Sequence, residues 1–368
     1  MTQQPPPPSI PDRMQAIQVV ERNKPYQLRT MPVPFTGDEL GPHDLLVKVA
    51  AASYCHTDGM VAAGIFGEKL PITASHEGAG TVVRVGNASG FRVGDRVMCG
   101  QLFHPCGVCG DCRGGSQEEQ YCTGVEGHVG VHIDGCFAEY VRVDARSATK
   151  VPRGVSLLDA APLACAGRTV WRAVQQVGLQ RGQWVAIVGS GGGLGHLGIQ
   201  FAKKALGLRV IGIEARDEGL ELSKEFGADA VLDARKDKAE VVAEAQKATE
   251  WNGADATIVL SDAKGAAALG CAVTRMHGTV VQVAQPDEVC IPFQEFVFRD
   301  IRVKGSLLCS PEESRSMLEA VAEHGIEVKT NVFRGLESIE DLMAKVKEGK
   351  IQGKAVIVVD QEQIGAAK

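Results

Sequence analysis

The most constraining feature of this sequence is a glycine-rich segment at residues 185–207, VAIVGSGGGLGHLGIQFAKKALG. Its apolar start predicts a buried strand, and the residues from about Leu194 onward predict a helix. Gly189, Gly192 and Gly195 lie in the turn between them with Gly-x-x-Gly-x-x-Gly spacing. Because small residues let the backbone approach a ligand, the N–H groups at such a helix start can bind a pyrophosphate. A turn of this kind also packs well without any ligand, so the glycine pattern alone is weak evidence of dinucleotide binding.

The residues that follow strengthen the dinucleotide interpretation. Glu214 ends the next apolar strand, where a carboxylate would accept hydrogen bonds from the ribose hydroxyls of adenosine. The carboxylate favours NAD, since it would repel the 2′-phosphate of NADP. Arg216, two residues later, would instead accommodate NADP if it reached the ribose. The predicted cofactor contacts in this region are Gly189, Gly192, Gly193, Leu194, Gly195 and Glu214.

Strand-like and helix-like runs alternate over residues 161–304, which predicts an α/β fold with a doubly wound parallel sheet. Residues before about 160 carry short apolar runs separated by turn residues, which predicts a β-rich region with a loop from Cys99 to Cys122. Between Pro311 and Gly349 the sequence predicts two amphipathic helices, followed by a closing strand, KAVIVVD. A length of 368 residues is consistent with two domains.

Composition excludes several classes of function. The chain is 44% apolar with a net charge of −6, so nucleic acid and anionic membranes are poor candidates as partners. It contains no uninterrupted apolar run long enough to span a membrane. The first 13 residues contain four consecutive prolines and predict a stiff, exposed extension rather than a secretory signal. The eleven cysteines are therefore expected in a reducing cytoplasm, where close spacing indicates metal binding or catalysis.

Four of these cysteines form what we call the loop cluster: Cys106, Cys109, Cys112 and Cys122. Cys-x-x-Cys turns place two sulfur atoms on one ion, and four thiolates suit tetrahedral zinc. An iron–sulfur cluster and unmetallated thiols are the alternatives, although nothing else in the sequence indicates electron transfer. The sequence therefore predicts a structural zinc at this loop.

A second metal site is suggested by three separate motifs. Cys55 and His56 stand in YCHTD at residues 54–58, His76 and Glu77 stand in SHEGAG at 75–80, and Cys165 stands in AAPLACAG at 160–167. A single Cys or His is more often a packed core residue than a ligand. Composition and spacing alone do not join the three motifs into one site.

Taken together, these motifs resemble the zinc-dependent medium-chain alcohol dehydrogenases, and within them the tetrameric microbial branch. The resemblance extends from about Met14 to Asp360 and rests on several motifs in the family's order. They are CHTD at 55–58, HEGAGTVVRVG at 76–86, FRVGDRV at 91–97, the loop cluster, DAAPLACAG at 159–167 and GGLGHLGIQFAK at 192–203.

The resemblance implies a Rossmann dinucleotide-binding domain over residues 161–304. Residues 1–160 and 305–368 would form a β-rich, GroES-like catalytic domain, with the active cleft between the two. It also implies a small-molecule substrate and a homotetramer, or else a homodimer. The implied reaction is hydride transfer between NAD(H) and an alcohol and its aldehyde or ketone. The alternatives are an NADP-preferring reductase of a bulkier carbonyl, or a catalytically silent relative that binds a nucleotide or a protein partner.

The resemblance also implies roles for individual residues and two zinc ions per chain. Cys55, His76 and Cys165 would hold a catalytic zinc, with Glu77 behind it as a transient ligand. Asp58 would orient His76, and Thr57 would hydrogen-bond the substrate oxygen. The remaining implied cofactor contacts are His56, Val283 near the nicotinamide, and Lys354 at the pyrophosphate.

Four departures from the family pattern qualify these implications. Met60 stands where the family has a proton-relaying histidine, and a thioether cannot transfer protons. Ser75 replaces the glycine that precedes the ligand histidine. Nine residues rather than seven separate Cys112 from Cys122. Phe66 is the one aromatic residue between Asp58 and His76, which suggests a substrate larger than ethanol.

Overall fold

The computed structural model describes residues 10–34, 40–67, 69–113 and 118–365. The chain divides into two compact units. The first unit comprises residues 1–165, 310–322 and 330–368, and the second comprises residues 166–309 and 323–329. Most of the predicted proline-rich extension, residues 1–9, lies outside the described residues. Within the part of the chain that is described, no helix is long and apolar enough to cross a membrane.

Eighteen strands are found in the described residues. In chain order they are β1 (Arg13–Val19), β2 (Gln27–Pro32), β3 (Asp44–Tyr54), β4 (Ile72–Thr73), β5 (Glu77–Val85), β6 (Arg96–Met98), β7 (Leu102–Phe103), β8 (Gly127–His128), β9 (Tyr140–Asp144), β10 (Thr149–Lys150), β11 (Trp184–Val188), β12 (Arg209–Glu214), β13 (Ala230–Asp233), β14 (Ala254–Val259), β15 (Thr274–Gln282), β16 (Arg302–Gly305), β17 (Thr330–Arg334) and β18 (Lys354–Val358).

The same residues contain twelve α-helices, two π-helical turns and two short 3₁₀ helices. The α-helices are α1 (His56–Ala63), α2 (Gly110–Arg113), α3 (Leu157–Pro162), α4 (Arg168–Gln176), α5 (Gly195–Gln200), α6 (Asp217–Glu225), α7 (Lys238–Ala248), α8 (Ala266–Val273), α9 (Phe293–Phe296), α10 (Pro311–His324), α11 (Ile339–Lys347) and α12 (Gln361–Gly365). The π-helical turns are Leu163–Gly167 and Phe201–Ala205, and the 3₁₀ helices are Glu119–Tyr121 and Leu336–Ser338.

The first unit is built on a seven-stranded sheet whose centre is β3. The strand order is β10-β6-β5-β3-β18-β17, and β9 also pairs with β3. Nine of the eleven residues of β3 are buried, since its sequence, DLLVKVAAASY, is almost continuously apolar. A three-stranded sheet, β2-β1-β4, and the pair β7-β8 complete the unit. The end of β3 and the start of β5 are neighbours in this sheet, because Ser53 pairs with Glu77.

The second unit contains a six-stranded parallel sheet in the order β13-β12-β11-β14-β15-β16. Its central strand, β11, is buried along its whole length. Strands β12 and β13 lie on one side of β11, and β14, β15 and β16 lie on the other, so the direction in which strands are added reverses at β11. The glycine-rich turn follows β11 directly. In open parallel sheets, ligands bind beyond the carboxyl ends of the strands at such a switch point.

The sequence-based elements agree with the structure in most places, and the differences lie where elements are short. The region from Cys99 to Cys122 is not only a loop, since it contains β7, α2 and a 3₁₀ turn. β2 and β17 were not predicted. β2 is almost wholly exposed and polar, and so lacks the apolar alternation by which strands are recognised.

Candidate functional site

The first unit brings the three separate motifs of the sequence together. One ligand atom from each of Cys55, His76, Glu77 and Cys165 lies within 4.8 Å of every other. We call these four residues the dispersed cluster. Cys55 follows β3, His76 and Glu77 lie at the start of β5, and Cys165 lies in the π-helical turn after α3. The structure therefore joins four residues that spacing alone could not connect.

Cys55 is held at the start of helix α1. It is the N-cap of that helix with an extended backbone, and it forms a capping box with Asp58. The Asp58 carboxylate accepts the Cys55 backbone N–H at 2.8 Å. Because this box fixes both the backbone and the side chain of Cys55, its sulfur atom is oriented by local structure.

Asp58 also orients His76. Its Oδ1 atom lies 3.2 Å from Nδ1 of His76 and accepts the backbone N–H of Ser75 at 3.2 Å. Asp58 and His76 are both almost completely buried. With Nδ1 engaged by the carboxylate, Nε2 is the atom that remains for a metal. Among the described residues no group serves Nε2 as a hydrogen-bond partner, which is what a metal-ligating nitrogen requires.

Glu77 and Lys354 form a buried ion pair behind the cysteines. Nζ of Lys354 lies 2.9 Å and 2.8 Å from the two carboxylate oxygens of Glu77. Burial raises the pKa of Glu77 to about 7, although the charge of Lys354 lowers it. Burial lowers the pKa of Lys354, but the charges of Glu77 and Cys55 outweigh this and the net direction is upward. Lys354, predicted at the cofactor pyrophosphate, is thus in contact with Glu77 in this structure.

Cys165, the fourth residue of the dispersed cluster, lies where regular α-helical geometry is interrupted. Leu163–Gly167 forms a π-helical turn between α3 and α4, and such turns are common at functional sites. A hydrogen bond from Cys165 holds the pKa of Cys55 well below the usual value for a thiol, helped by the charge of Lys354. Two thiols, a buried imidazole nitrogen and a carboxylate are a donor set that fits zinc.

Ser75 replaces a glycine of the family pattern, and its backbone shows why glycine is common there. Its φ is +69°, in the left-handed region that residues with a side chain rarely adopt. The hydroxyl donates to the Ser53 carbonyl at 2.9 Å and accepts the Glu77 N–H at 3.2 Å. These bonds fasten the residue next to His76 to the end of β3.

The loop cluster is also assembled. The four sulfur atoms of Cys106, Cys109, Cys112 and Cys122 lie within 4.8 Å of one another. Backbone N–H groups of Cys106 and Cys109 donate to sulfur atoms of the cluster at 3.3 Å. Hydrogen bonds from the backbone N–H groups of Val108 and Cys109 lower the pKa of Cys106 to about 6. Four close sulfur atoms, two of which accept backbone hydrogen bonds, fit a tetrahedral metal ion.

The glycine-rich turn of the second unit is shaped by close backbone contacts. Gly189 has a φ of +85°, and a Cβ atom on Gly195 would lie 2.3 Å from the Gly189 carbonyl oxygen. Helix α5 begins at Gly195, one residue after the predicted start. These two positions require glycine, so the turn leaves its backbone accessible to a ligand.

Glu214 lies at the end of β12, as predicted, and supports this turn. Its carboxylate accepts the backbone N–H groups of Gly191 at 3.0 Å and Ala215 at 2.9 Å. The Arg216 guanidinium lies 3.3 Å from both carboxylate oxygens. Burial raises the pKa of Glu214, but hydrogen bonds from Arg216 and Ala215 outweigh this and lower it.

Comparisons with known proteins agree with this geometry. Residues 41–153 match the model of the alcohol dehydrogenase GroES-like domain, and residues 193–323 match that of zinc-binding dehydrogenases. An alcohol dehydrogenase of Geobacillus stearothermophilus is 35% identical over 94% of this chain and 100% of its own length. The chain belongs to the zinc-binding alcohol dehydrogenase family. It is therefore an alcohol oxidoreductase, and the predicted Rossmann-like and GroES-like folds are confirmed.

Solved structures of the family extend the comparison. The alcohol dehydrogenase of Aeropyrum pernix has a TM-score of 0.83 and 30% identity, covering 94% of this chain and 99% of its own. A zinc-binding dehydrogenase of Sinorhizobium meliloti, solved with bound NADP, has a TM-score of 0.80 and 28% identity. The match covers 94% of this chain and 99% of the Sinorhizobium chain.

The structure also describes the other residues to which the family pattern assigns a role toward substrate, proton or cofactor. Thr57 is half-buried in the first turn of α1, next to the exposed His56, and Met60 lies one turn further along. Val283 follows β15 and donates its N–H to the Val259 carbonyl at 3.0 Å. Their roles toward substrate and cofactor stay predictions.

Two features of the site were not predicted from the sequence. One is the Glu77–Lys354 pair, for which the apolar residues after Lys354 were the available signal, because they predict a buried lysine that needs a carboxylate partner. The other is the pair of hydrogen bonds made by the Ser75 hydroxyl, for which the sequence carried no signal.

Proposed function

We propose that this dehydrogenase is zinc-dependent and transfers a hydride between NAD(H) and a primary or secondary alcohol and its aldehyde or ketone. The observation that carries the proposal is the close set of Cys55, His76 and Cys165, with the buried Nε2 of His76 aimed into it. Three protein ligands of this kind leave a fourth position for a substrate oxygen, as in catalytic zinc sites. A catalytically silent relative would have no reason to retain an oriented ligand set of this kind.

Residues of the chain would orient the metal ligands, bind the substrate oxygen and transfer the proton. A zinc ion bound here would act as a Lewis acid toward the substrate oxygen. Asp58 keeps the hydrogen of His76 on Nδ1, so that Nε2 carries the lone pair. Thr57, two residues from Cys55, would hydrogen-bond the substrate oxygen. Because Met60 cannot transfer a proton, we propose that the proton leaves through water or the exposed His56.

For the cofactor we propose NAD, held by Gly189, Gly192, Gly193, Leu194 and Gly195 with the adenosine ribose at Glu214. The support is the carboxylate at the end of β12, which would repel a 2′-phosphate. Arg216 already contacts that carboxylate, so binding of NADP would require it to be redirected. His56, Val283 and Lys354 are proposed as further contacts, and two zinc ions per chain are proposed in total.

The test is a panel of alcohols, aldehydes and ketones, followed at the nicotinamide absorbance with both cofactors. We expect kcat/KM to be higher with NAD(H), and larger substrates to be preferred over ethanol. Failure to turn over any member with either cofactor would contradict the proposal and favour a silent nucleotide-binding relative. Preference for NADP(H) with a bulky carbonyl would support the alternative reductase.

Two variants sharpen the cofactor assignment. Glu214→Gln keeps an acceptor for the Gly191 N–H but removes the charge, and Glu214→Ala removes both. We expect both to shift the NAD/NADP ratio of kcat/KM toward NADP, by about 5- to 150-fold, which corresponds to about 1–3 kcal/mol. Unchanged selectivity in Glu214→Gln would contradict a role for the charge.

The proposed assembly rests on the family resemblance, and the proposed location rests on the cysteines. We propose a homotetramer in the cytoplasm, with a homodimer as the alternative. The eleven cysteines, all within the described residues, are free thiols, which supports a reducing compartment. Light scattering coupled to gel filtration measures the assembly, and a monomeric mass would contradict it.

A further inference from the structure

The glycine-rich turn is joined to a distant segment of the same unit by one buried side chain, His196. His196 lies in the first turn of α5 and is fully buried. Its Nδ1 atom lies 3.1 Å from the carbonyl oxygen of Gly192, and the backbone N–H of Lys329 donates to Nε2 at 3.2 Å. The ring thus connects the turn to residues Gly325–Lys329, which we call the return segment.

These two partners determine the protonation state of the ring. A backbone N–H can only donate, so Nε2 must be unprotonated. A carbonyl oxygen can only accept, so Nδ1 must carry the hydrogen. His196 is therefore a neutral imidazole that donates to the glycine-rich turn and accepts from the return segment.

Two further side chains on α5 and the π-helical turn after it hold the return segment. The buried amide of Gln200 donates to the Glu327 carbonyl at 2.8 Å and accepts the Glu327 N–H at 2.9 Å. Lys204 donates to the Gly325 carbonyl at 2.9 Å. Residues spaced by four lie on one side of a helix, and His196 is the member of this series that contacts the glycine-rich turn.

The Gly192 carbonyl matters because of the peptide to which it belongs. The peptide between Gly192 and Gly193 is planar, so fixing the carbonyl oxygen also fixes the direction of the Gly193 N–H. That N–H is one of the groups expected to bind a pyrophosphate. The Gly192 oxygen also accepts the backbone N–H of His196 at 3.2 Å, so two bonds from one residue orient this peptide.

We propose that His196 is a positioning residue for the dinucleotide and couples its binding to the return segment. The inference rests on the proposed function, because it takes the glycine-rich turn as the pyrophosphate site. When a pyrophosphate accepts the Gly193 N–H, it polarises the same peptide and makes the Gly192 carbonyl a stronger acceptor. Hydrogen bonds in a chain strengthen one another, so the bond from Lys329 to the ring should strengthen as well.

Three variants separate the two contacts of the ring. His196→Asn places an amide nitrogen near the position of Nδ1, so it keeps the bond to Gly192 and loses the one to Lys329. His196→Gln reaches further, keeps an acceptor for Lys329 and loses the bond to Gly192. Gln200→Leu is the matched control, because it frees Glu327 without touching the turn. Each histidine variant keeps one bond, and thermal unfolding checks that each is folded.

The measurements are the Kd for NADH and for NADPH, by fluorescence titration, and amide hydrogen exchange of the return segment with and without cofactor. In the wild-type protein, bound cofactor should slow exchange of the Lys329 amide. His196→Asn should bind cofactor within about twofold of wild type but lose this slowing. His196→Gln should raise Kd about fivefold, the effect of losing one neutral hydrogen bond. Gln200→Leu should speed exchange at Glu327 and leave Kd unchanged.

Two results would overturn the inference. One is wild-type affinity in His196→Gln, and the other is cofactor-dependent slowing at Lys329 that persists in His196→Asn. In both cases the wild-type protein still binds a dinucleotide, so the proposed function stands. A wild-type protein that binds neither NADH nor NADPH would overturn the proposed function, and the inference with it.

Discussion

The loop cluster takes its four sulfur atoms from seventeen consecutive residues, whereas the dispersed cluster takes its ligand atoms from three segments between Cys55 and Cys165. The loop cluster lies among short turns, and three of its cysteines are half-buried. The dispersed cluster is fastened by the ends of two paired strands and by a helix. In addition, the buried side chains of Asp58 and Lys354 orient His76 and Glu77.

This difference indicates what a metal ion would do at each site. At the loop cluster, metal binding would supply the crosslink that holds the turns together, so binding and local folding are coupled. At the dispersed cluster, the sheet and helix α1 already place the ligands, so the scaffold supports the site. We therefore expect mutations in the loop cluster to reduce stability, and mutations in the dispersed cluster to reduce turnover.

The largest expected effect is that of Cys165→Ala on turnover. Losing a ligand removes Lewis-acid stabilisation worth several kcal/mol, so kcat should fall by about a thousandfold or more. The melting temperature should stay within about 2 °C of wild type, because alanine suits a helix. Metal analysis should find one zinc per chain instead of two.

The control for this variant is Cys290→Ala, which changes an exposed cysteine outside both clusters and should leave turnover unchanged. Retention of a tenth or more of wild-type kcat in Cys165→Ala would contradict the assignment of the dispersed cluster. So would a fully active wild-type preparation with one tightly bound metal per chain.

The next effect is that of Cys109→Ser on stability. A crosslink that closes a loop of about 15 residues is worth about 3 kcal/mol. Its loss should lower the melting temperature by about 6–12 °C and reduce solubility. Activity per folded molecule should change far less than in Cys165→Ala. If Cys109→Ser instead abolished activity at an unchanged melting temperature, the contrast between the two clusters would be wrong.

A smaller effect is expected from Asp58→Asn, which tests how far the scaffold supports the dispersed cluster. Asp58 accepts hydrogen from Cys55 N–H, Ser75 N–H and His76, and an amide has one acceptor oxygen in place of two. Loss of such a partner behind a metal ligand typically costs about 10- to 100-fold in activity or metal affinity. The measurements are kcat/KM and zinc retention against a chelator. Asp95→Asn, on a carboxylate paired with Lys150, is the control, and equal effects of the two changes would contradict the role of Asp58.

The contrast between the clusters also explains what could be predicted from the sequence. The loop cluster is local, so its four cysteines and their spacing carried the full signal. The parallel sheet was predicted because its strands are continuously apolar and separated by helices. The dispersed cluster depends on sheet pairing, such as Ser53 opposite Glu77, and spacing does not encode that pairing. It was reached through resemblance to a family.

Some features could not be predicted from the sequence, because they depend on tertiary contacts of single side chains. The contact between Lys354 and Glu77 joins residues 277 positions apart, and the apolar residues after Lys354 indicate a buried lysine without identifying its partner. His196 looks like an ordinary residue of an amphipathic helix until Lys329 is found beside its ring. The π-helical turn at Cys165 interrupts a segment whose sequence predicts a regular helix.

The smallest expected effect concerns Ser75, where this chain departs from the family pattern beside His76. Ser75→Ala keeps the left-handed backbone and loses the hydroxyl that bonds Ser53 and Glu77. Losing such a bond costs about 1 kcal/mol, which should lower the melting temperature by about 2–4 °C. Ser75→Gly loses the same bonds but removes left-handed strain of about 1 kcal/mol. We therefore expect Ser75→Gly to melt close to wild type, and Ser75→Ala to melt below both. A melting temperature for Ser75→Ala above that of Ser75→Gly would show that a side chain does not strain the left-handed backbone at this site.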